Sequence, residues 1–250
     1  MSTKPTIVLV PGAWHSPECF QYIVPKLEAL SYPVACINLA TVGEQNPAAT
    51  HLDDVAAIHE VIIPLMNEGK EVMLIPHSYG AAVQGQTVAE RSARGEKGGI
   101  TSIFFLASFA LKQRYDLLRD LRQGIGELDG CCSQSPHNHS RFRSNPSVLY
   151  NDLSPEQATY WLSKCRPHTL ASFGKPVEFV PPDLKIPSMY LICEKDGAMD
   201  LDLQESLIAA TPGMKTMRFS GGHSPFLSHP DFTVEAIVKA AKELGSDRTD

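Results

Sequence analysis

The sequence predicts an α/β protein: a doubly wound, mostly parallel sheet with an inserted helical cap. Three observations predict it. Nearly continuous apolar runs recur along the chain, the pattern of strands covered on both faces of a parallel sheet. Helical patterns fall between those runs, the alternation that builds crossover units. Over residues 111–182 the alternation stops and helical segments replace it.

The first run, Thr6–Val10, ends at Pro11-Gly12, and Ser16-Pro17-Glu18 starts a helix over Phe20–Leu30. A second run, Val34–Leu39, precedes a helix over Leu52–Asn67, where Val55, Ile58, Ile62 and Leu65 stand at helical spacing. Pro64 should end or kink its last turn. The third run, Glu71–Ile75, leads into Pro76-His77-Ser78-Tyr79-Gly80, with a helix over Ala81–Ala93 directly behind. The fourth is Ile100–Ala107. Within the insertion, Tyr115, Leu118, Leu121, Ile125 and Leu128 recur at helical spacing, and a polar loop runs over Gly130–Pro146. Ser154-Pro155-Glu156-Gln157 reads as a capping box with proline at the first helical position. A fifth run, Ser188–Cys193, resumes the sheet, and a helix over Phe232–Leu244 closes the core. The expected organisation is a core of residues 1–110 and 183–250 around a cap of residues 111–182.

With 43% hydrophobic and 20% charged residues, a chain of 250 has the composition of a globular protein with a full core. Its formal charge is -6, and no block of Lys and Arg stands out, which argues against nucleic acid and anionic membrane as partners. The N-terminal apolar run is too short for a signal peptide, and none approaches the roughly 20 residues of a membrane span. A cytoplasmic location is expected. Six cysteines without a repeated Cys-x-x-Cys spacing read as free thiols. His137 and His139 stand in a polar loop without further ligands nearby, so no metal is expected. A homodimer is compatible with the sequence, which does not specify one.

In an open α/β sheet, reactive groups gather at the carboxyl ends of the strands. Three such ends carry candidates: Pro11-Gly12-Ala13-Trp14-His15, Pro76-His77-Ser78-Tyr79-Gly80, and Glu194-Lys195-Asp196, with Gly221-Gly222-His223 further on. The order Ser78, Asp196, His223 is that of a nucleophile-elbow hydrolase. A serine hydroxyl needs a base to become a nucleophile, imidazole suits that role near neutrality, and a buried carboxylate fixes its tautomer. Backbone N–H groups of Ala13 and Tyr79 are the expected oxyanion donors. Pro76 replaces the first glycine of the Gly-x-Ser-x-Gly pattern, but at the last strand residue it forfeits little of the ladder. Glu194, Asp200 and Asp202 compete with Asp196. Trp14, His15, Tyr160 and Trp161 are candidate substrate contacts, and each also fits a packing role. His77 is expected to be structural and to point away from the imidazole, and His229 to cap the last helix.

Together, Val10-Pro11-Gly12-Ala13-Trp14-His15, Pro76-His77-Ser78-Tyr79-Gly80, Cys193-Glu194-Lys195-Asp196-Gly197-Ala198-Met199-Asp200 and Gly221-Gly222-His223-Ser224-Pro225-Phe226 resemble the α/β-hydrolase superfamily. The likeness is to its small cap-bearing group, which includes plant methylesterases and hydroxynitrile lyases, and to fungal small-molecule α/β-hydrolases. The resemblance implies nucleophile Ser78, acid Asp196, base His223, oxyanion donors Ala13 and Tyr79, and no cofactor. Hydroxynitrile lyases of that group carry a lysine after the catalytic histidine and a threonine in the oxyanion turn. Here Ser224 and Ala13 stand there, which disfavours cyanohydrin cleavage. The expected activity is hydrolysis of a small, mostly apolar ester, lactone or thioester. A lyase, decarboxylase or cyclase acting on a polyketide-like metabolite, and a ligand receptor on a hydrolase scaffold, are the alternatives.

Overall fold

The computed structural model describes residues 4–81, 91–109, 132–134, 139–142, 146–173 and 186–246. Its centre is a six-stranded sheet of β1 (Thr6–Val10), β2 (Val34–Cys36), β3 (Glu71–Pro76), β4 (Gly99–Leu106), β8 (Ser188–Cys193) and β9 (Lys215–Phe219). The spatial order is β2-β1-β3-β4-β8-β9, and every pair is parallel. The chain leaves β1 for the β2 edge and returns to β3 on the other side. That reversal puts the switch point, where such sheets bind ligands, between the carboxyl ends of β1 and β3.

The four inner strands are apolar along nearly their whole length because both faces are covered: all of β1 and β4 is buried, and only the first residue of β3 and of β8 is partly exposed. At the edge, β9 reads Lys-Thr-Met-Arg-Phe and is mostly exposed, so no apolar run marks it and the sequence reading missed it. The second run is shorter than expected, ending at Cys36.

Helix α1 spans only Val24–Ala29, preceded by a 3-10 turn at Pro17–Phe20. Helix α2 (His51–Asn67) packs on β3 and presents His51, Asp54, Ile58, Ile62 and Met66 to the core. It continues through Pro64, which lies on the exposed face, where water can serve the Glu60 carbonyl that proline leaves without a donor. The predicted helix over Ala81–Ala93 lies largely outside the described residues, as does the one through Tyr115–Leu128. Between β4 and β8, the described residues contain helix α3 (Pro155–Lys164), with the expected capping box at Ser154 and Gln157. They also contain strands β5 (Cys132–Gln134), β6 (His139–Phe142) and β7 (His168–Thr169), an antiparallel sheet that the helical reading of this insertion did not anticipate. Helices α4 (Leu201–Ala209), α5 (Pro225–Ser228) and α6 (Pro230–Ser246) complete the core, and α6 packs on β4 and β8. No helix among the described residues is long and apolar enough to cross a membrane.

Gln204, fully buried on α4, ties that helix to the end of β8. Its Oε1 accepts from the Cys193 N–H at 3.0 Å, while Nε2 donates to the carbonyls of Cys193 at 2.9 Å and Met199 at 2.8 Å. Removing the amide strands three buried main-chain groups. Gln204→Ala should therefore destabilise the protein by about 2–4 kcal/mol, read as a lowered urea midpoint with unchanged slope.

Candidate active site

The site is assembled from four strand ends. Past β3, Ser78 has φ +50°, a left-handed conformation uncommon for a residue with a Cβ. Three main-chain captures hold it there. The His77 N–H reaches the Val10 carbonyl at 3.0 Å, and the Ser78 carbonyl accepts from the Phe109 N–H at 3.0 Å and from the Ser108 hydroxyl at 2.8 Å. Gly80 is needed because a Cβ there would lie 2.8 Å from the Pro11 carbonyl oxygen. Pro76 closes the β3 register opposite Val10 through a trans peptide, so the missing first glycine leaves the turn intact.

The Pro11–His15 turn lies directly against this elbow: a Cβ on Gly12 would approach that of Ser78 to 3.0 Å. Trp14 has φ +64°, and its N–H is directed at His168 Nδ1, 3.4 Å away. Among the described residues, the N–H groups of Ala13 and Tyr79 have no intramolecular acceptor.

Past β8 and β9 the two strands keep exchanging main-chain bonds. Glu194 N–H donates to the Phe219 carbonyl at 2.9 Å and Lys195 N–H to that of Gly221 at 3.0 Å. This carries Asp196 and His223 side by side. The Asp196 carboxylate is fully buried; Oδ1 accepts from the N–H groups of Ala198 (2.7 Å) and Met199 (2.9 Å), and Oδ2 from His223 Nδ1 at 2.7 Å. With Nδ1 donating, Nε2 is the free acceptor of a neutral imidazole. Two of the competing acids are engaged elsewhere: Asp200 caps α4 by accepting from the Leu203 N–H, and Glu194 pairs with Arg218 and Ser220. His229 stands directly before α6 and accepts through its carbonyl from the Thr233 N–H, in line with the capping role read for it.

His77 does not point away from the imidazole. Because it extends the β3 ladder past Pro76, its ring lies on the side that α5 covers, 4.7 Å from the His223 ring and 4.8 Å from Phe226. Its Nε2 donates to the His223 carbonyl at 3.0 Å. The residue before Ser78 thus holds the main chain of His223. His15 is buried with both nitrogens used: Nδ1 donates to the Ala13 carbonyl and Nε2 accepts from the Tyr150 hydroxyl, each at 2.7 Å. Trp14 packs on His168 and Phe173. Tyr160 is about half exposed on α3, with Lys164 over its ring, while Trp161 is buried against Tyr22.

Sequence reasoning missed several residues around this cluster. Asp54 is buried among the apolar residues of α2 and accepts from the Tyr79 hydroxyl (2.7 Å), the Thr41 hydroxyl (2.7 Å) and the Thr41 N–H (3.0 Å). Its burial raises the carboxyl pKa, opposed by those donors. A carboxylate in step with Ile58 and Ile62 on one helical face was the available signal. His168, fully buried, bonds the Ser172 hydroxyl and lies edge-on to Tyr79.

The chain belongs to the alpha/beta hydrolase family, whose model matches residues 7–236. It is 28% identical to an alpha/beta hydrolase, nvfD, of Aspergillus novofumigatus over 96% of this chain and 98% of that one. It is 24% identical to methyl jasmonate esterase 1 of Vitis vinifera over 89% and 91% of the two chains. An extracellular alpha/beta-hydrolase from a Paenibacillus species superposes with a TM-score of 0.73 at 18% identity, covering 94% of this chain and 98% of that one.

Burial lowers the His15 pKa from 6.5 to about 4, and the nearby His223 adds to the effect. A group whose folded pKa is depressed contributes stability that is whole above the unfolded value. That contribution falls away as pH drops from about 6.5 through about 4. His15→Gln should flatten the acid limb of the stability curve by roughly 1.4 kcal/mol per pH unit across that window, as measured by urea unfolding.

Proposed function

We propose that the protein is a serine hydrolase that cleaves a small, mostly apolar ester, lactone or thioester through an acyl-enzyme. The observation that carries the reading is the 2.7 Å bond between the buried Asp196 carboxylate and His223 Nδ1, at the strand ends that flank a serine held at φ +50°. A buried carboxylate so placed fixes the imidazole with its Nε2 lone pair free, the form that accepts a proton.

Ser78 Oγ attacks the substrate carbonyl carbon as its proton passes to His223 Nε2, and Asp196 stabilises the imidazolium that forms. The N–H groups of Ala13 and Tyr79 receive the negative charge that develops on the carbonyl oxygen. His223 then gives its proton to the departing alkoxide or thiolate. In the second half a water loses a proton to His223 and attacks the acyl carbon, and the proton returns to Ser78 as the acid leaves. All these groups belong to this chain. The buried rings of Trp14, Phe109 and Phe173 near the elbow favour an apolar substrate, and His15 acts by holding the oxyanion turn rather than by touching the reacting atoms. Tyr160 and Trp161 take packing roles on α3. The esterase among the relatives supports an ester as the substrate class.

A fluorophosphonate should form one adduct, on Ser78, detected by intact mass and peptide mapping and absent in Ser78→Ala. That variant should lose about three or more orders of magnitude in kcat on an activated ester while keeping its melting temperature. A folded wild type that takes no label, or a variant with near-normal turnover, would overturn the assignment.

A further inference from the structure

Three consecutive residues in the segment between β4 and β8 each hold a different loop of the site. Tyr150, nearly fully buried, donates its hydroxyl to His15 Nε2 at 2.7 Å, and His15 Nδ1 donates in turn to the Ala13 carbonyl. Asn151 Nδ2 donates to the carbonyl of Lys195, which precedes Asp196, at 2.6 Å. Asp152 Oδ2 accepts from the N–H of Gly222, which precedes His223, at 2.7 Å, and from the Ser228 hydroxyl on α5 at 2.8 Å. The approach is close: a Cβ on Gly222 would stand 2.1 Å from Asn151 Oδ1 and 2.9 Å from Asp152 Oδ1, so a side chain there would displace both residues from their ties. The tripeptide is itself set, with Tyr150 N–H bonded to the Pro146 carbonyl and Leu153 N–H to that of Tyr150. Ser154 starts α3 directly afterwards.

We propose that Tyr150-Asn151-Asp152 is the positioning element of this site, fixing the oxyanion turn, the acid loop and the histidine loop relative to one another from one short stretch of chain. The proposal rests on the hydrolase reading for its catalytic consequence. None of the three touches the reacting atoms; each acts through the loop it holds. A tie that only stabilised the fold would shift the melting temperature and leave the folded protein's kcat unchanged. A tie that sets the register of His223 against Asp196 and Ser78 lowers kcat with little change in KM, because misplaced groups lose transition-state stabilisation.

Asp152 separates these roles. In Asp152→Ala the Gly222 N–H and the Ser228 hydroxyl lose their acceptor. In Asp152→Asn the amide oxygen can replace Oδ2, and the amide nitrogen falls where Oδ1 stands buried with no hydrogen-bond partner among the described residues. Assayed below its melting temperature on p-nitrophenyl esters, Asp152→Ala should lose at least roughly tenfold in kcat with KM within about threefold of the wild type. Its downfield proton resonance from His223 Nδ1–H should broaden or vanish. Asp152→Asn should recover both. Tyr150→Phe, which keeps the ring and removes only the hydroxyl, should slow fluorophosphonate labelling of Ser78 by at least about fivefold. A folded Asp152→Ala with wild-type kcat and an unchanged resonance, an Asp152→Asn as impaired as the alanine variant, or normal labelling of Tyr150→Phe would each overturn the proposal. If the wild type neither hydrolyses esters nor labels at Ser78, the hydrolase reading fails, and the Nδ1–H resonance across the Asp152 variants still decides the positioning role.

Discussion

A left-handed residue between β3 and the turn that follows it governs the carboxyl edge of this sheet. Holding Ser78 at φ +50° costs on the order of 1–3 kcal/mol, and such a conformation persists only where its surroundings over-determine it. Here they do. The Val10 carbonyl fixes the residue before, Ser108 and Phe109 take the serine carbonyl, and Gly80 lies so close to Pro11 that a Cβ there would meet its carbonyl. The three captures come from β1 and from the exit of β4, the two neighbours of β3 in the sheet. A parallel sheet with its switch point at β1 and β3 is thus the physical requirement for presenting this serine, and the hydroxyl's position follows from the strand order.

The second constraint is electrostatic. Asp196 and His223 have both been taken almost wholly out of water, and a buried carboxylate is costly unless its lone pairs are used. Two amide N–H groups satisfy one oxygen and the imidazole the other, which offsets the desolvation and leaves the carboxylate no freedom to turn. The bonds that continue from β8 and β9 into these loops mean that neither residue can move without breaking main-chain pairs.

How much of this was legible depended on the range of the interaction. The inner strands, the elbow and the order of Ser78, Asp196 and His223 lie in local patterns, and a capping box such as that at Ser154 is local by construction. The β9 strand was not legible because an edge strand with Lys215 and Arg218 needs no apolar run, and α4 because Asp200 was weighed as a catalytic acid when it serves as a cap. Asp54 with Tyr79, Tyr150 with His15 and Asp152 with Gly222 depend on partners 25, 135 and 70 residues away. No single-chain pattern announces such pairs. His77 was misplaced for the same reason: the β3 ladder sets the side of its ring, but that this side meets His223 and Phe226 depends on α5, which arrives from the far end of the chain.

Three histidines, His15, His77 and His223, come together at the strand ends, with ring centroids 6.1 Å apart for the first two and 4.7 Å for the last two. A mobile proton in such a cluster could rest on any of them, and the proposed hydrolase chemistry, with His223 as its single base, requires that it does not. Burial pushes His15 down to about 4 and His77 well below the ordinary imidazole range, each further opposed by the charge of its neighbours. One nitrogen of each is committed to holding main chain, His15 Nδ1 on the Ala13 carbonyl and His77 Nε2 on the His223 carbonyl. Of the three, His223 is the one with a carboxylate at Nδ1 among the described residues. The surrounding apolar packing therefore keeps His15 and His77 neutral, and under the proposed chemistry the transferred proton is left to His223, whose Nδ1 is bonded to Asp196.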